Sequence, residues 1–120
     1  MSGHNTLEEL VTSEFDIDDP GAGGAIGSPG KQGGVVSLES AAAETRTLKN
    51  PERAGLELTI GFQTNGGDVV ITSESAINQT GNNTLILADA GDQITLKSIR
   101  LGNTFVWRVT SNDGVALLTV

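Results

Sequence analysis

Short runs of alternating apolar and polar residues fill the chain from residue 34 onward. The residues between these runs are mostly Gly, Asn and Asp, which tight turns favour. Alternation with a period of two places one side of each run against a core and therefore predicts β-strands. The pattern predicts two short strands and then six clearer ones, at residues 35–38, 44–49, 56–62, 69–73, 84–87, 94–101, 104–110 and 115–120.

This succession of short strands and turns predicts an all-β protein, a small antiparallel β-sandwich or barrel with a long extended N-terminal arm. Trp107 could stack on a sugar ring. It shares one side of the predicted strand 104–110 with Phe105 and Val109, however, and this apolar side favours a position in the core. We expect the larger residues of three strands to form the core of the β domain: Leu85, Leu87, Ile94, Leu96, Phe105, Trp107 and Val109.

One strand changes its phase partway along. Ile94 and Leu96 alternate in one phase, whereas Ile99 and Leu101 alternate in the other. A slip of one residue is what a β-bulge produces, so we expect a bulge near residues 97–98. The turn that follows, Gly102-Asn103, predicts a tight hairpin with the next strand.

The N-terminal part has a different character. Residues 20–34 contain Gly or Pro at nine of 15 positions, a composition that offers little surface to bury. Before them, residues 7–15 form a helix candidate, because Thr6 and Glu9 have capping-box spacing and the apolar residues follow one helical face. We therefore assign residues 1–54 to an extended arm and residues 55–120 to the β domain.

The first 20 residues carry six carboxylates and no Lys or Arg. A solvated acidic tail is the usual interpretation of such a run. The alternative is an anchor, in which the apolar residues are buried on a partner and the carboxylates meet a basic patch. The apolar residues favour the anchor, and we predict that the contact residues of the arm are Leu7, Leu10, Val11, Phe15, Asp16, Asp18, Asp19 and Ile26.

Charge and length narrow the classes of partner. The 120 residues include 15 acidic and seven basic side chains, a net charge of -8. The basic residues are scattered, so we expect no nucleic-acid partner and no anionic membrane surface. The apolar runs are far shorter than the roughly 20 residues of a membrane span, and the acidic start differs from a signal peptide. The absence of Cys is consistent with synthesis in a reducing cytosol.

No residue pattern predicts catalysis. The one histidine, His4, lies near the start of the chain, which argues against a catalytic triad. Asp89 and Asp92 could form a carboxylate pair, but Asp in such a turn usually caps backbone amides. The spacing around Asp16 and Lys31 matches neither an EF-hand loop nor a phosphate-binding loop. We therefore expect no enzyme, no cofactor and no metal site, and we consider a hydrolase improbable.

Several phrases of the second half resemble small virion proteins of tailed bacteriophages. They are INQTGNNTLILADAGD at residues 77–92, ITL at 94–96, FVWRV at 105–109 and SNDGV at 111–115. In those proteins a segment such as ITLADAGDSVTL is followed by a Trp-containing strand and then by NDGV. The sequence resembles in particular the capsid decoration, or cement, proteins. The likeness covers residues 55–120, and no catalytic residues come with it.

The resemblance implies a protein of the capsid exterior, made in the host cytoplasm. Cement proteins bridge neighbouring capsomers, commonly as trimers, so the expected partners are the major capsid protein and further copies of the chain. Related modules also occur in tail and fibre proteins. A receptor- or glycan-binding module of a tail or fibre is therefore the alternative, and it predicts an exposed Trp107 or Phe105.

Overall fold

The computed structural model describes residues 15–30 and 33–120, which form a sandwich of two five-stranded sheets. Its named elements are all strands: β1 (Asp16–Ile17), β2 (Gly24–Ile26), β3 (Gly34–Ser40), β4 (Glu44–Leu48), β5 (Glu57–Asn65), β6 (Val69–Ser73), β7 (Thr84–Leu87), β8 (Gln93–Leu101), β9 (Thr104–Asp113) and β10 (Ala116–Leu118). The predicted all-β class and the predicted strands are confirmed.

Strands β1 to β6 alternate between the two sheets. The first sheet has the order β1-β3-β5-β8-β9, and the second has the order β10-β7-β6-β4-β2. Within β1 to β6 the chain crosses from the first sheet to the second three times, from β1 to β2, from β3 to β4 and from β5 to β6, and it crosses once more from β9 to β10. The pairs β1–β2, β3–β4 and β5–β6 each form one turn of a flattened coil and are here called the first, second and third coil turns. The remaining strands, β7 to β10, pair antiparallel and complete both sheets.

The coil makes half of the pairing parallel, which differs from the antiparallel expectation. β1, β3 and β5 pair parallel in one sheet, and β2, β4 and β6 pair parallel in the other. Parallel neighbours need a long connection, and here the strand in the opposite sheet is part of it. The connections at residues 41–43 and 66–68 are as short as hairpin turns, but each one carries the chain to the other sheet.

The boundary expected at residue 55 does not separate an arm from a body in the described residues. Four strands, β1 to β4, come from the part of the chain assigned to the arm, and each pairs with a neighbour in the sandwich. The Gly-rich composition of residues 20–34 includes strand β2 and the start of β3. The glycine content of these residues predicts a linker, whereas two of the glycines allow close packing in the sandwich. The helix candidate at residues 7–15 lies outside the described residues except for Phe15.

Close approach explains the glycines at those two positions. A side chain at Gly34 would lie 2.6 Å from Cδ1 of Ile17 and 2.9 Å from Cβ of Pro29. A side chain at Gly24 would meet Pro20 in the same way, at 2.6 Å. The lack of a Cβ at Gly34 therefore lets the first coil turn pack tightly against the second, and the lack of one at Gly24 allows a close approach to Pro20 within the first coil turn.

Alternation along each strand places the core between the sheets. In β3 the buried and exposed positions alternate strictly, with Val36 and Leu38 fully buried. Val36 pairs in register with Ile60, and Ile60 pairs with Ile94, so one buried row crosses three strands of the first sheet. Rows of this kind on both sheets form a single apolar cluster.

The expected bulge in β8 lies elsewhere. β8 keeps its phase through Leu96 and Ser98, which are both buried. The register between β8 and β9 shifts between Thr95 and Leu96, where Thr110 of β9 is the extra residue. Ile99 and Leu101 therefore do not return to the core. They lie on the outer side of the hairpin, 39% and 53% exposed.

Candidate interaction surfaces

A buried arginine fastens the first coil turn to the rest of the sandwich. Arg46 lies on the inner side of β4, in register with the buried Ile71, and is 1% exposed. Its guanidinium donates to Oδ1 and Oδ2 of Asp19, at 2.9 and 3.2 Å, and to Oε1 of Glu44 at 3.0 Å. It also donates to the carbonyl oxygens of Thr45 and Glu39. All five N–H groups of Arg46 have an acceptor.

The carboxylate of Asp19 is bound from several sides. Besides Arg46, the backbone N–H groups of Gly21 and Glu39 donate to it, at 2.9 and 2.8 Å. Burial opposes ionisation of Asp19, but these hydrogen bonds outweigh burial and lower its pKa below the ordinary value. Asp19 thus links three segments of the chain: the connection between β1 and β2, the end of β3, and β4.

The pKa values of Glu44 and Arg46, the other two members of this cluster, are shifted in the directions that favour their charged forms. The pKa of Glu44 is lowered, first by the hydrogen bond from the backbone of Ala41 and then by that from Arg46. Burial opposes the charge of Arg46, but its hydrogen bonds with Asp19 and Glu44 raise its pKa. The three groups are therefore ionised together near neutral pH, and the cluster is a structural clamp.

The predicted contact residues of the arm fall into three groups. Leu7, Leu10 and Val11 lie outside the described residues. Three others are available at the surface: Asp16 and Asp18 are exposed, and Phe15 is half-buried. The last two are used inside the molecule, because Asp19 binds Arg46 and Ile26 is 5% exposed within the core cluster. Asp19 and Ile26 hold the sandwich together and do not form part of a free contact surface.

The seven predicted core residues are placed as follows. Leu85, Leu87, Ile94, Leu96 and Trp107 are buried, and Val109 packs against the cluster while partly exposed. Phe105 is different, because it lies beyond the covered part of the hairpin and is only half-buried. The guanidinium of Arg100 lies over the ring of Phe105, with its Cζ 4.9 Å from the ring centroid.

The turn around Asp92 has the structural role that its sequence predicts. Oδ2 of Asp92 accepts hydrogen bonds of 3.0 Å from the backbone N–H groups of Ala88 and Asp89. The carboxylate therefore caps the turn between β7 and β8, as expected for Asp at such a position.

The described charges separate along the strand axis. The end where β3 and β5 begin is here called the basic end, and the end where they finish is called the acidic end. Five of the six described cations lie at the basic end, with three carboxylates: Lys49, Arg53, Lys97, Arg100 and Arg108, with Glu52, Glu57 and Glu74. Eight carboxylates lie at the acidic end: Asp18, Asp19, Glu39, Glu44, Asp68, Asp89, Asp92 and Asp113.

This separation produces two unlike surfaces on a small domain. Arg46 is the one described cation at the acidic end, which therefore has a net charge of -7, against +2 at the basic end. Asp16 lies between them. Because the strand registers decide which charges share an end, this separation could not be read from the sequence.

Exposed apolar side chains gather at the basic end as well. Five large apolar residues are exposed among the described residues, and Val35 lies on the flat of the first sheet. The other four lie at the basic end: Ile99, Leu101, Leu118 and Val120. The exposure of Ile99 and Leu101 could be predicted from their change of phase in β8, but the same change also predicts a bulge.

A shallow groove also opens at this end beside Trp107. It has a volume of about 410 Å³ and is lined by residues that include Leu48, Pro51 and Glu74. The indole Nε1 of Trp107 donates to the carbonyl oxygen of Lys49 at 3.0 Å, and the residue is 2% exposed. The ring thus forms the floor of the groove without presenting a face to a ligand.

No cluster of three or more His, Cys, Asp or Glu side chains arranged to hold a metal ion occurs within residues 15–30 and 33–120. In that part of the chain, no helix has the length and apolar character needed to cross a membrane. Comparison with known protein families gives no matching family model, and comparison with curated proteins gives no relative.

Proposed function

We propose that the chain is a structural virion protein, a capsid decoration or cement protein of a tailed bacteriophage. It would bind the outer surface of the head, as a homotrimer, and stabilise the shell by bridging neighbouring subunits of the major capsid protein. The proposal starts from the resemblance in residues 77–115. It assigns the protein no enzymatic activity and no cofactor.

The observation that carries the proposal is the attachment of the N-terminal segment to the sandwich. A cement protein must transmit force from its contact residues to its body. Here the segment that follows residue 14 enters the first sheet as β1 and is fastened by the clamp of Asp19 and Arg46. A partner that binds residues 7–15 would thereby be tied to the whole sandwich and not to a loose linker.

The chemistry of residues 1–14 suits such a contact. They combine Leu7, Leu10 and Val11 with three glutamates and no Lys or Arg. Burial of the apolar side chains would supply binding free energy, at about 25 cal/mol per Å² of apolar surface. The carboxylates would select a partner surface with Lys or Arg at the matching positions.

The alternative, a receptor- or glycan-binding module, needs an aromatic platform open to solvent. Trp107 is buried, and Phe105 is half-buried beneath Arg100. These two placements favour the cement function over the alternative.

Removal of residues 1–14 tests the proposal, because it leaves β1 and the clamp in place. The measurement is the affinity for purified phage heads prepared without the protein. We expect the truncated chain to bind at least tenfold more weakly, which corresponds to about 1.4 kcal/mol. The matched control is removal of residues 1–5, which keeps every apolar residue from Leu7 onward and should leave binding unchanged. Equal affinity of both truncated chains and the full chain would contradict the proposal.

A further inference from the structure

The chain enters the sandwich at its basic end. β1 runs parallel to β3, with Asp16 level with Val35 and Ile17 level with Val36. β3 starts at Gly34, at the basic end, so the chain passes from that end towards the acidic end as it forms β1. The N-terminal segment is therefore joined to the sandwich on the same side as the exposed cations.

The β8–β9 hairpin extends beyond the start of β5 at this end. Lys97 is level with Glu57, the first residue of β5, and the hairpin continues for four more residues of β8 to the turn at Gly102. Ile99 and Leu101 lie in this extension and are exposed, and Arg100 between them is held over the ring of Phe105. The tip thus presents apolar contact surface and a positioned positive charge.

From these relations we infer that the basic end is a second docking surface, which lies against the same head surface that the N-terminal segment binds. This inference rests on the proposed function and adds the orientation of the protein. The area of the head that it fits is acidic, lies beside the basic patch that residues 1–14 would bind, and offers an apolar depression for Ile99 and Leu101. The acidic end then faces away from the head.

Electrostatics favours this orientation over its reverse. Such an acidic area would repel the acidic end, with its net charge of -7, and attract the basic end, with its net charge of +2. A dipolar molecule of this kind is turned as it approaches, with its basic end foremost. The four exposed apolar residues at that end then leave water on contact, whereas none of the five large exposed apolar residues lies at the acidic end.

Two attachments at one end also reinforce each other. Once the N-terminal segment is bound, the hairpin is held close to the same surface, and its effective concentration there is high. The hairpin contact can therefore be weak by itself and still slow the release of the protein. Placement of the two attachments at opposite ends would require two separate surfaces to face each other.

The experiment compares two variants that each add one negative charge. Leu101→Glu places it at the hairpin tip, and Ala90→Glu places it in an exposed turn at the acidic end. Each full-length variant is titrated onto phage heads prepared without the protein, at low and moderate salt. Leu101→Glu should bind at least tenfold more weakly than the wild type, whereas Ala90→Glu should bind within about twofold. Arg100→Gln should weaken binding several-fold and reduce the dependence on salt.

The other outcomes are equally informative. If the wild type binds heads and Leu101→Glu binds as tightly as Ala90→Glu, the inference is wrong and the proposed function stands. If the wild type does not bind heads at all, both are wrong. Sedimentation without heads identifies a different occupant: if Leu101→Glu dissociates copies of the chain but leaves head binding unchanged, the hairpin contacts a second copy and the inference is overturned. Circular dichroism of each variant verifies that the exposed substitution leaves the fold intact.

Discussion

Asp19 and Arg46 are separated by 27 residues in the chain, and two hydrogen bonds of 2.9 and 3.2 Å join their side chains. The pair connects the first coil turn to the second across the interior of the sandwich. Because Arg46 also binds the carbonyl oxygen of Glu39, it holds the crossing from β3 to β4 in the same cluster. The edge strands β1 and β2, one in each sheet, therefore both depend on the guanidinium of Arg46.

Replacement of Arg46 by methionine should therefore destabilise the protein strongly. The variant leaves the carboxylates of Asp19 and Glu44 without their shared cation. We expect a loss of about 3 kcal/mol in the free energy of unfolding, at the low end of the range for broken buried pairs, since both carboxylates keep some exposure. The measurement is chemical denaturation followed by circular dichroism.

Lys97→Met is the matched control, because Lys97 is an exposed cation on a strand. Its effect should stay within about 0.5 kcal/mol. The clamp would have no special role if both methionine variants unfolded at the same denaturant concentration.

The same pair predicts a loss of stability in acid. The pKa of Asp19 is lower in the folded protein than in the unfolded chain. Its stabilising effect is therefore complete above the unfolded pKa, about 3.9, and is lost as the pH falls through the lower folded value. We expect unfolding free energies measured from pH 6 to pH 2.5 to fall less steeply below pH 4 in Asp19→Asn than in the wild type. Parallel pH profiles of the two proteins would exclude this role of Asp19.

Gly67 should tolerate no side chain. A Cβ at this position would lie within van der Waals overlap of the backbone of Ala42 and Ala43, where the crossings of two coil turns pack together. Gly67→Ala should therefore lower the midpoint of thermal unfolding by several degrees, as expected for a loss of about 2 kcal/mol. Gly61→Ala is the control, since Gly61 lies in β5 with open space beside it. A smaller effect of Gly67→Ala than of Gly61→Ala would contradict the packing described.

The burial of Trp107 at the basic end can be tested by substitution. Its indole is buried and its N–H group binds the carbonyl oxygen of Lys49. Trp107→Phe removes this hydrogen bond and leaves the carbonyl oxygen unpaired, which should reduce the free energy of unfolding by about 1–3 kcal/mol. Circular dichroism is the appropriate probe, because the substitution removes the one tryptophan. Phe105→Leu, at a half-buried position, should cost less, and the reverse order would contradict the assigned burial.

The strands could be predicted from the sequence, whereas their pairing could not. Alternation around Val36, Ile94 and Trp107 marks buried faces whichever neighbour a strand has. The connections after β3 and β5 are as short as hairpin turns, and nothing in those few residues indicates that they lead to the opposite sheet. Parallel pairing, and with it the inclusion of strands β1 to β4 in the sandwich, follows only from the three-dimensional register.

The interaction surfaces were harder to predict for the same reason. Arg46 alternates in phase with Leu48, which is a signal for an inward position, but its partner Asp19 lies 27 residues away and has no local mark. The separation of charge is a property of the fold, because residues as distant as Arg53 and Arg108 reach one end only when the strands are aligned. Ile99 and Leu101 were visible in the sequence, yet their phase could be interpreted in two ways.

The number of copies in intact particles tests the proposed cement function most directly. A cement protein occupies sites repeated over the whole head, whereas a tail or fibre module occurs a few times in each particle. Quantitative gel densitometry of purified particles, scaled to the major capsid protein, gives this number. We predict hundreds of copies per particle, with chemical cross-links from residues 1–15 to the major capsid protein. A few copies per particle, cross-linked to a tail or fibre protein, would contradict the proposal.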